Sequence, residues 1–115
     1  MAIEIVKENI NQEHLNELAK EQFGDMVKAV IDIEQGIMAI GGELHADEEI
    51  ELVEKCGSKR EFTWGINLYP GKSGAYFIEF DSMINLKPQF GNRSRSVENE
   101  EIQNKIREVA GRLIS

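Results

Sequence analysis

Two short segments concentrate the residue types that perform chemistry. In Gly41-Gly42-Glu43-Leu44-His45-Ala46-Asp47-Glu48-Glu49, one of only two histidines stands among carboxylates where a strand gives way to a helix. An imidazole with a carboxylate two residues on can ligate a metal, and it can act as a general base near neutral pH. His45 and Asp47 are therefore candidate metal ligands, and His45 and Asp81 candidate catalytic groups. The same residues have a structural reading. His45 would be the helix N-cap, Glu48 its reciprocal capping partner, and the acids of the first turn would satisfy the helix dipole. Neither a second histidine at ligand spacing nor a cysteine cluster accompanies them.

The second segment is Gly91-Asn92-Arg93-Ser94-Arg95-Ser96. A glycine-led loop ahead of a helix can offer backbone N–H groups, hydroxyls and bidentate guanidinium forks to a phosphate or carboxylate. Asn92, Arg93, Ser94 and Arg95 are thus candidate ligand-binding residues. The structural alternative has Ser96 capping the last helix and the arginines pairing with the protein's own acids. A polar row, Asn67, Glu79, Asp81 and Asn85, shares one parity of neighbouring strands, and its Asp81 and Asn85 join the ligand candidates. Most such rows are merely the solvated face of a sheet, but Phe77 and Met83 share that parity, so this face is partly apolar and could instead underlie a groove. Walker and dinucleotide glycine spacings are both missing, and no cofactor is expected.

These segments need elements to hold them. Residues 3–7 read as an opening strand. Asn11 caps a first helix over 12–23, with Ile10 and Leu15 as a hydrophobic staple and Gly24 as the stop. Val27, Ala29, Ile31 and Ile33 alternate with Lys28, Asp32 and Glu34, a strand that turns at Glu34-Gln35-Gly36 into its partner over 37–40. A second helix over 46–56 should bury Ile50, Val53 and Cys56, with Gly57 closing it. Phe62, Trp64, Ile66 and Leu68 point inward from the next strand. Pro70-Gly71 fits a type II turn. Parity persists from Ala75 to Lys87, which favours one long bent strand over a second hairpin. Ile102, Ile106, Val109, Ala110, Leu113 and Ile114 form the wide apolar face of a last helix.

The order is βαββαβββα, three helices with a mainly antiparallel sheet of five to six strands, an α+β domain. At 115 residues, with 41% hydrophobic and 30% charged residues, a single domain over 1–115 with one packed core is expected. The formal net charge of −8 opposes nucleic acid as a partner, although Lys87, Arg93 and Arg95 gather in one stretch. The N-terminal residues make neither a secretory signal nor a membrane span, and the lone Cys56 agrees with a reducing compartment, so a cytoplasmic protein is expected. Cys56 and Trp64 read as core, and His14 as surface.

The runs Phe23-Gly24-Asp25-Met26-Val27-Lys28-Ala29-Val30, Ile37-Met38-Ala39-Ile40-Gly41-Gly42-Glu43-Leu44-His45-Ala46-Asp47, Trp64-Gly65-Ile66-Asn67-Leu68-Tyr69-Pro70 and Phe80-Asp81-Ser82-Met83-Ile84-Asn85, with Gly91-Asn92-Arg93-Ser94-Arg95, resemble a family of small bacterial proteins known as a domain of unknown function. The resemblance covers almost the whole chain. It implies a single bacterial domain and brings no activity, cofactor or catalytic residue with it.

Three functions compete on these residues. The first is a non-enzymatic or regulatory binding module, open to homodimerisation, in which the 91–96 loop and the Asp81/Asn85 row hold an anionic small molecule or an acidic protein segment. The second is a metal-assisted hydrolase using His45, Asp47 and Asp81. The third is RNA contact through Arg93 and Arg95, which the acidic remainder of the chain opposes.

Overall fold

Alternation of period two along the central strands decides which helices lie on which face of the sheet. The computed structural model describes residues 2–115. Strands β1 (Glu4–Val6), β2 (Val27–Asp32), β3 (Ile37–Ile40), β4 (Thr63–Leu68) and β5 (Ile78–Glu79) form one antiparallel sheet in the spatial order β1-β3-β2-β4-β5. Helices α1 (Gln12–Gln22), α2 (His45–Cys56) and α3 (Glu100–Leu113) pack against it. This is the expected α+β fold, with five strands.

Val27, Ala29 and Ile31 of β2, with Trp64, Ile66 and Leu68 of β4, face the main core. Leu15, Leu18 and Ala19 of α1 and Ile106, Val109, Ala110 and Leu113 of α3 close it. Each fully buried valine, leucine or isoleucine side chain there stabilises the fold by about 1.5–3 kcal/mol. The caps agree with this docking. Asn11 Oδ1 accepts from the His14 N–H at the start of α1, and Asn99 Oδ1 accepts from the Glu101 and Ile102 N–H groups at the start of α3. The N-cap of α3 is therefore Asn99, three residues beyond the expected Ser96, because Asn92 and the buried Val97 hold the intervening stretch as an extended approach.

The opposite face of the sheet is covered by α2, and its chemistry is different. Val30, Ile37, Ala39 and Leu52 make only a small apolar cluster, flanked by Ile3, Ile5, Cys56 and Ile84. Around it the sheet presents Lys28, Asp32, Thr63, Gly65 and Asn67, the alternate residues of the two central strands. The helix answers with His45, Glu48 and Glu49, all buried with Leu52. The expected Ile50-Val53-Cys56 stripe is thus displaced: Ile50 is 43% exposed, and Val53 and Cys56 are only partly buried. Polar contacts to a polar sheet face outweigh the apolar periodicity in setting the rotation of this helix.

Two turns refine the sequence expectation. Asp32 is fully buried and caps the β2–β3 connection, its Oδ1 accepting from the Glu34 and Gln35 N–H groups, while Gly36 takes the left-handed conformation at φ 70°. At 69–72 a turn closes through Lys72 N–H to Tyr69 O, but Gly71 is not among the glycines of positive φ, so it is not type II.

The segment 75–87 is neither one long strand nor a hairpin. Only Ile78 and Glu79 pair with β4, and short 3-10 turns occupy Gly74–Tyr76 and Met83–Asn85. Side-chain amides take over where the ladder stops. Asn67 Nδ2 donates to Asp81 O, and the carboxamide of Asn85 pairs with both backbone groups of Gly65.

Candidate functional site

Replacing main-chain pairing by side chains lets residues 81–84 swing away from β4 and leaves an opening beside the start of α2. The resulting cleft has a volume of about 250 Å³ and is lined by Lys28 of β2, Asn67 of β4, His45 of α2, and Asp81 and Arg95 from the irregular segments. Leu44, Ala46, Met83 and Ile84 supply its apolar wall. Close approach of the walls depends on Gly65, where a Cβ atom would lie 2.5 Å from Ser82 Cβ.

His45 is the first residue of α2 rather than its cap, because Leu44 occupies the N-cap position without a side-chain bond. Its Nε2 lies 2.8 Å from the Ile66 carbonyl, which can only accept, so Nε2 carries the proton and Nδ1 is left as an acceptor. Burial pushes the imidazole down to about 4, with Lys28 and Arg95 adding to the effect and the Ile66 bond and Asp81 opposing it. The ring is neutral at pH 7.

Asn67 is 5% exposed and its amide orientation is set by its acceptors. Nδ2 donates to Glu79 Oε1 at 2.9 Å and to Asp81 O, which leaves Oδ1 buried without a partner among the described residues. A buried amide oxygen in this condition costs about 1–3 kcal/mol unless something donates to it. At the mouth, Arg95 Nε donates to Asp81 Oδ1 at 2.7 Å, with both side chains about half exposed. Such a solvated pair contributes at most about 1 kcal/mol, so it orients the two groups more than it stabilises the fold.

Glu48 stands behind the cleft. It is fully buried; Oε2 accepts from the Gly42 N–H at 3.0 Å, and Oε1 has no partner among the described residues. Burial raises its carboxyl well above the ordinary range, against the Gly42 bond and the Lys28 charge. It is not the capping partner of His45.

A family model described as protein of unknown function (DUF5674) matches residues 4–113. The chain belongs to that family. No curated protein and no solved structure matches it.

In this member of the family, the sequence candidates separate into three groups. His45, Asp81 and Arg95 line the cleft together. Asn85 and Asn92 are buried away from the cleft lining, and their side-chain polar atoms are committed within the protein. Asn85 bonds Gly65 and Arg95 O, while Asn92 donates to Asn85 O, Ser94 O and Ser96 O and accepts from the Glu98 N–H. Arg93, Ser94 and Asp47 do not line the cleft; Arg93 and Asp47 are exposed and Ser94 is half-buried. Among the described residues, no group of three His, Cys, Asp or Glu side chains is placed to hold a metal ion. No helix among them is long and apolar enough to cross a membrane.

Lys28 is the charged cleft residue that sequence reasoning missed, having been read only as one of the polar residues alternating with Val27, Ala29, Ile31 and Ile33. The available signal was that both central strands alternate with polar residues, Lys28 and Asp32 against Thr63 and Asn67. Two adjacent polar rows in the middle of a sheet mark a covered polar layer.

Proposed function

We propose that the protein is a small binding module of the bacterial cytoplasm that holds a small anionic ligand in the cleft between α2 and residues 81–84. The observation that carries this reading is the convergence of Lys28 and Arg95 on one cleft. Two cations attract an anion, and the guanidinium keeps N–H groups beyond the one given to Asp81. The 91–96 loop enters this reading through Arg95 alone.

The test is a two-dimensional NMR titration with inorganic phosphate and with short carboxylates such as acetate. Shifts confined to Lys28, His45, Asn67 and Arg95 are expected. The Lys28→Ala, Arg95→Ala double variant should lose them while keeping a dispersed spectrum, and Arg93→Ala should retain them. Binding that persists in the double variant, or vanishes with Arg93→Ala, would overturn the assignment.

A further inference from the structure

The cleft holds more than positive charge, and the balance of its polar groups limits what can fill it. Its donors are the ammonium of Lys28, which lies 5.5 Å from the centre of the Phe23 ring, and the remaining guanidinium N–H groups of Arg95. Beside them are acceptors that no described residue satisfies. Asp81 gives Oδ1 to Arg95 and keeps Oδ2; His45 gives Nε2–H to Ile66 and keeps Nδ1; Asn67 gives Nδ2 to Glu79 and Asp81 and keeps Oδ1. A simple anion would satisfy the donors and leave all three acceptors unanswered, one of them buried. A simple amine would do the reverse and sit beside two cations.

Resting on the reading of this cleft as a ligand site, we propose that its ligand is a small zwitterion of the α-amino-acid class. The carboxylate faces Arg95 and Lys28, and the ammonium faces Asp81 Oδ2 with the oxygen of Asn67 and Nδ1 of His45. Both charged groups of such a ligand are carried by one carbon, matching a cleft in which cation and anion, Arg95 and Asp81, are themselves in contact. The size agrees. About 250 Å³ lies below the ~300–1,000 Å³ of pockets for drug-sized ligands, so the occupant is a few heavy atoms beyond its charged groups. Leu44 and Met83, 58% and 62% exposed, give an apolar side chain something to cover at the mouth.

Calorimetric titration with L-leucine, 4-methylpentanoate and 3-methylbutylamine separates the possibilities, because the last two are leucine without its ammonium and without its carboxylate. L-Alanine, propionate and ethylamine repeat the comparison at smaller size. Leucine or alanine should bind at least about tenfold more tightly than either of its halves, as expected for losing one charge-assisted contact. Asp81→Asn, a half-exposed position where the fold should tolerate the change, should remove that advantage and leave the weaker binding of the acid intact. Acids that bind as tightly as the amino acids would overturn the zwitterion while the anion site stands. An unchanged leucine affinity in Asp81→Asn would overturn the ammonium seat. Binding by none of the six, or by the amines alone, would overturn this inference, and the anion reading beneath it falls as well if phosphate and acetate also leave the spectrum unchanged.

Discussion

The side chain of Asn85 stands in for a strand residue opposite Gly65: its Oδ1 accepts the Gly65 N–H at 2.8 Å and its Nδ2 donates to the Gly65 carbonyl at 2.9 Å. The same Nδ2 reaches Arg95 O, so one carboxamide joins β4 to both irregular segments that build the cleft.

Replacing Asn85 by alanine orphans both backbone groups of Gly65 and takes one of two donors from the Arg95 carbonyl, which keeps the Ser82 N–H. At about 1–3 kcal/mol for each unsatisfied group, partly recovered by water entry, a loss of about 2–4 kcal/mol is expected in urea unfolding. Asn85→Asp should also destabilise, since it places carboxylate oxygens against two carbonyls. A loss below about 1 kcal/mol for Asn85→Ala would mean that water satisfies Gly65 as well as the amide does.

Gly65→Ala tests the packing of the same contact. The added methyl would lie 2.5 Å from Ser82 Cβ and Oγ and 3.1 Å from Ile84 Cγ1, and overpacking of this kind costs about 1–3 kcal/mol. Part of that loss should return with Ser82→Gly in the same chain, measured as a coupling energy in a double-mutant cycle.

Much of the scaffold was legible because its signals are local. Asn11 and Gly36 act where turn and cap chemistry place them, and the six apolar positions from Ile102 to Ile114 describe α3. What escaped was decided by long-range contacts between polar groups. Nothing near Ala75–Lys87 in the sequence says that Asn67 and Asn85 will replace the ladder, so an unbroken parity read as an unbroken strand. The rotation of α2 escaped for the same reason. Its buried partners, Ile66 O for His45, Gly42 N–H for Glu48 and the Thr63 hydroxyl for Glu49, lie on other elements. The cleft was therefore half visible. His45, Asp81 and Arg95 were candidates by type, but Lys28 and the exclusion of Arg93 required the fold.

His45 should make stability fall in acid. Its pKa is about 4 in the folded protein against 6.5 for the free imidazole, so between these values the unfolded chain binds the extra proton and stability rises with pH. The contribution is complete above pH 6.5 and is lost as pH falls toward 4, about 3 kcal/mol in all. Glu48 acts in the opposite sense above pH 4.5, so the raw curve mixes the two. Subtracting the curve of His45→Gln from that of the parent isolates the histidine. A flat difference between pH 4 and 6.5 would show that the imidazole titrates normally.

Glu48→Gln should stabilise the protein near neutral pH. The raised carboxyl pKa means that the folded protein holds a proton which the unfolded chain has released above pH 4.5, so the acid becomes a growing liability as pH rises. Glutamine keeps the acceptor for Gly42 N–H and has no proton to lose. Its advantage should therefore increase from pH 5 to pH 8 in parallel denaturation curves, and a constant offset would argue for a packing effect instead.

Lys87 ties the irregular segment after β5 to β4. Its Nζ donates to the carbonyls of Arg60 and Thr63 and lies 4.3 Å from the centre of the Trp64 ring, in a position only 4% exposed. Burial lowers the ammonium to about 8, against the attraction of Glu49, so it remains charged at pH 7. Lys87→Met keeps the aliphatic stem but strands two carbonyls and removes the cation from the indole face. A loss of about 1–3 kcal/mol is expected, together with altered emission from the single tryptophan. The two effects have different origins. Lost stability with unchanged emission would place the cost in the carbonyls alone, and unchanged stability would show that relief from burying the charge offsets what its hydrogen bonds contribute.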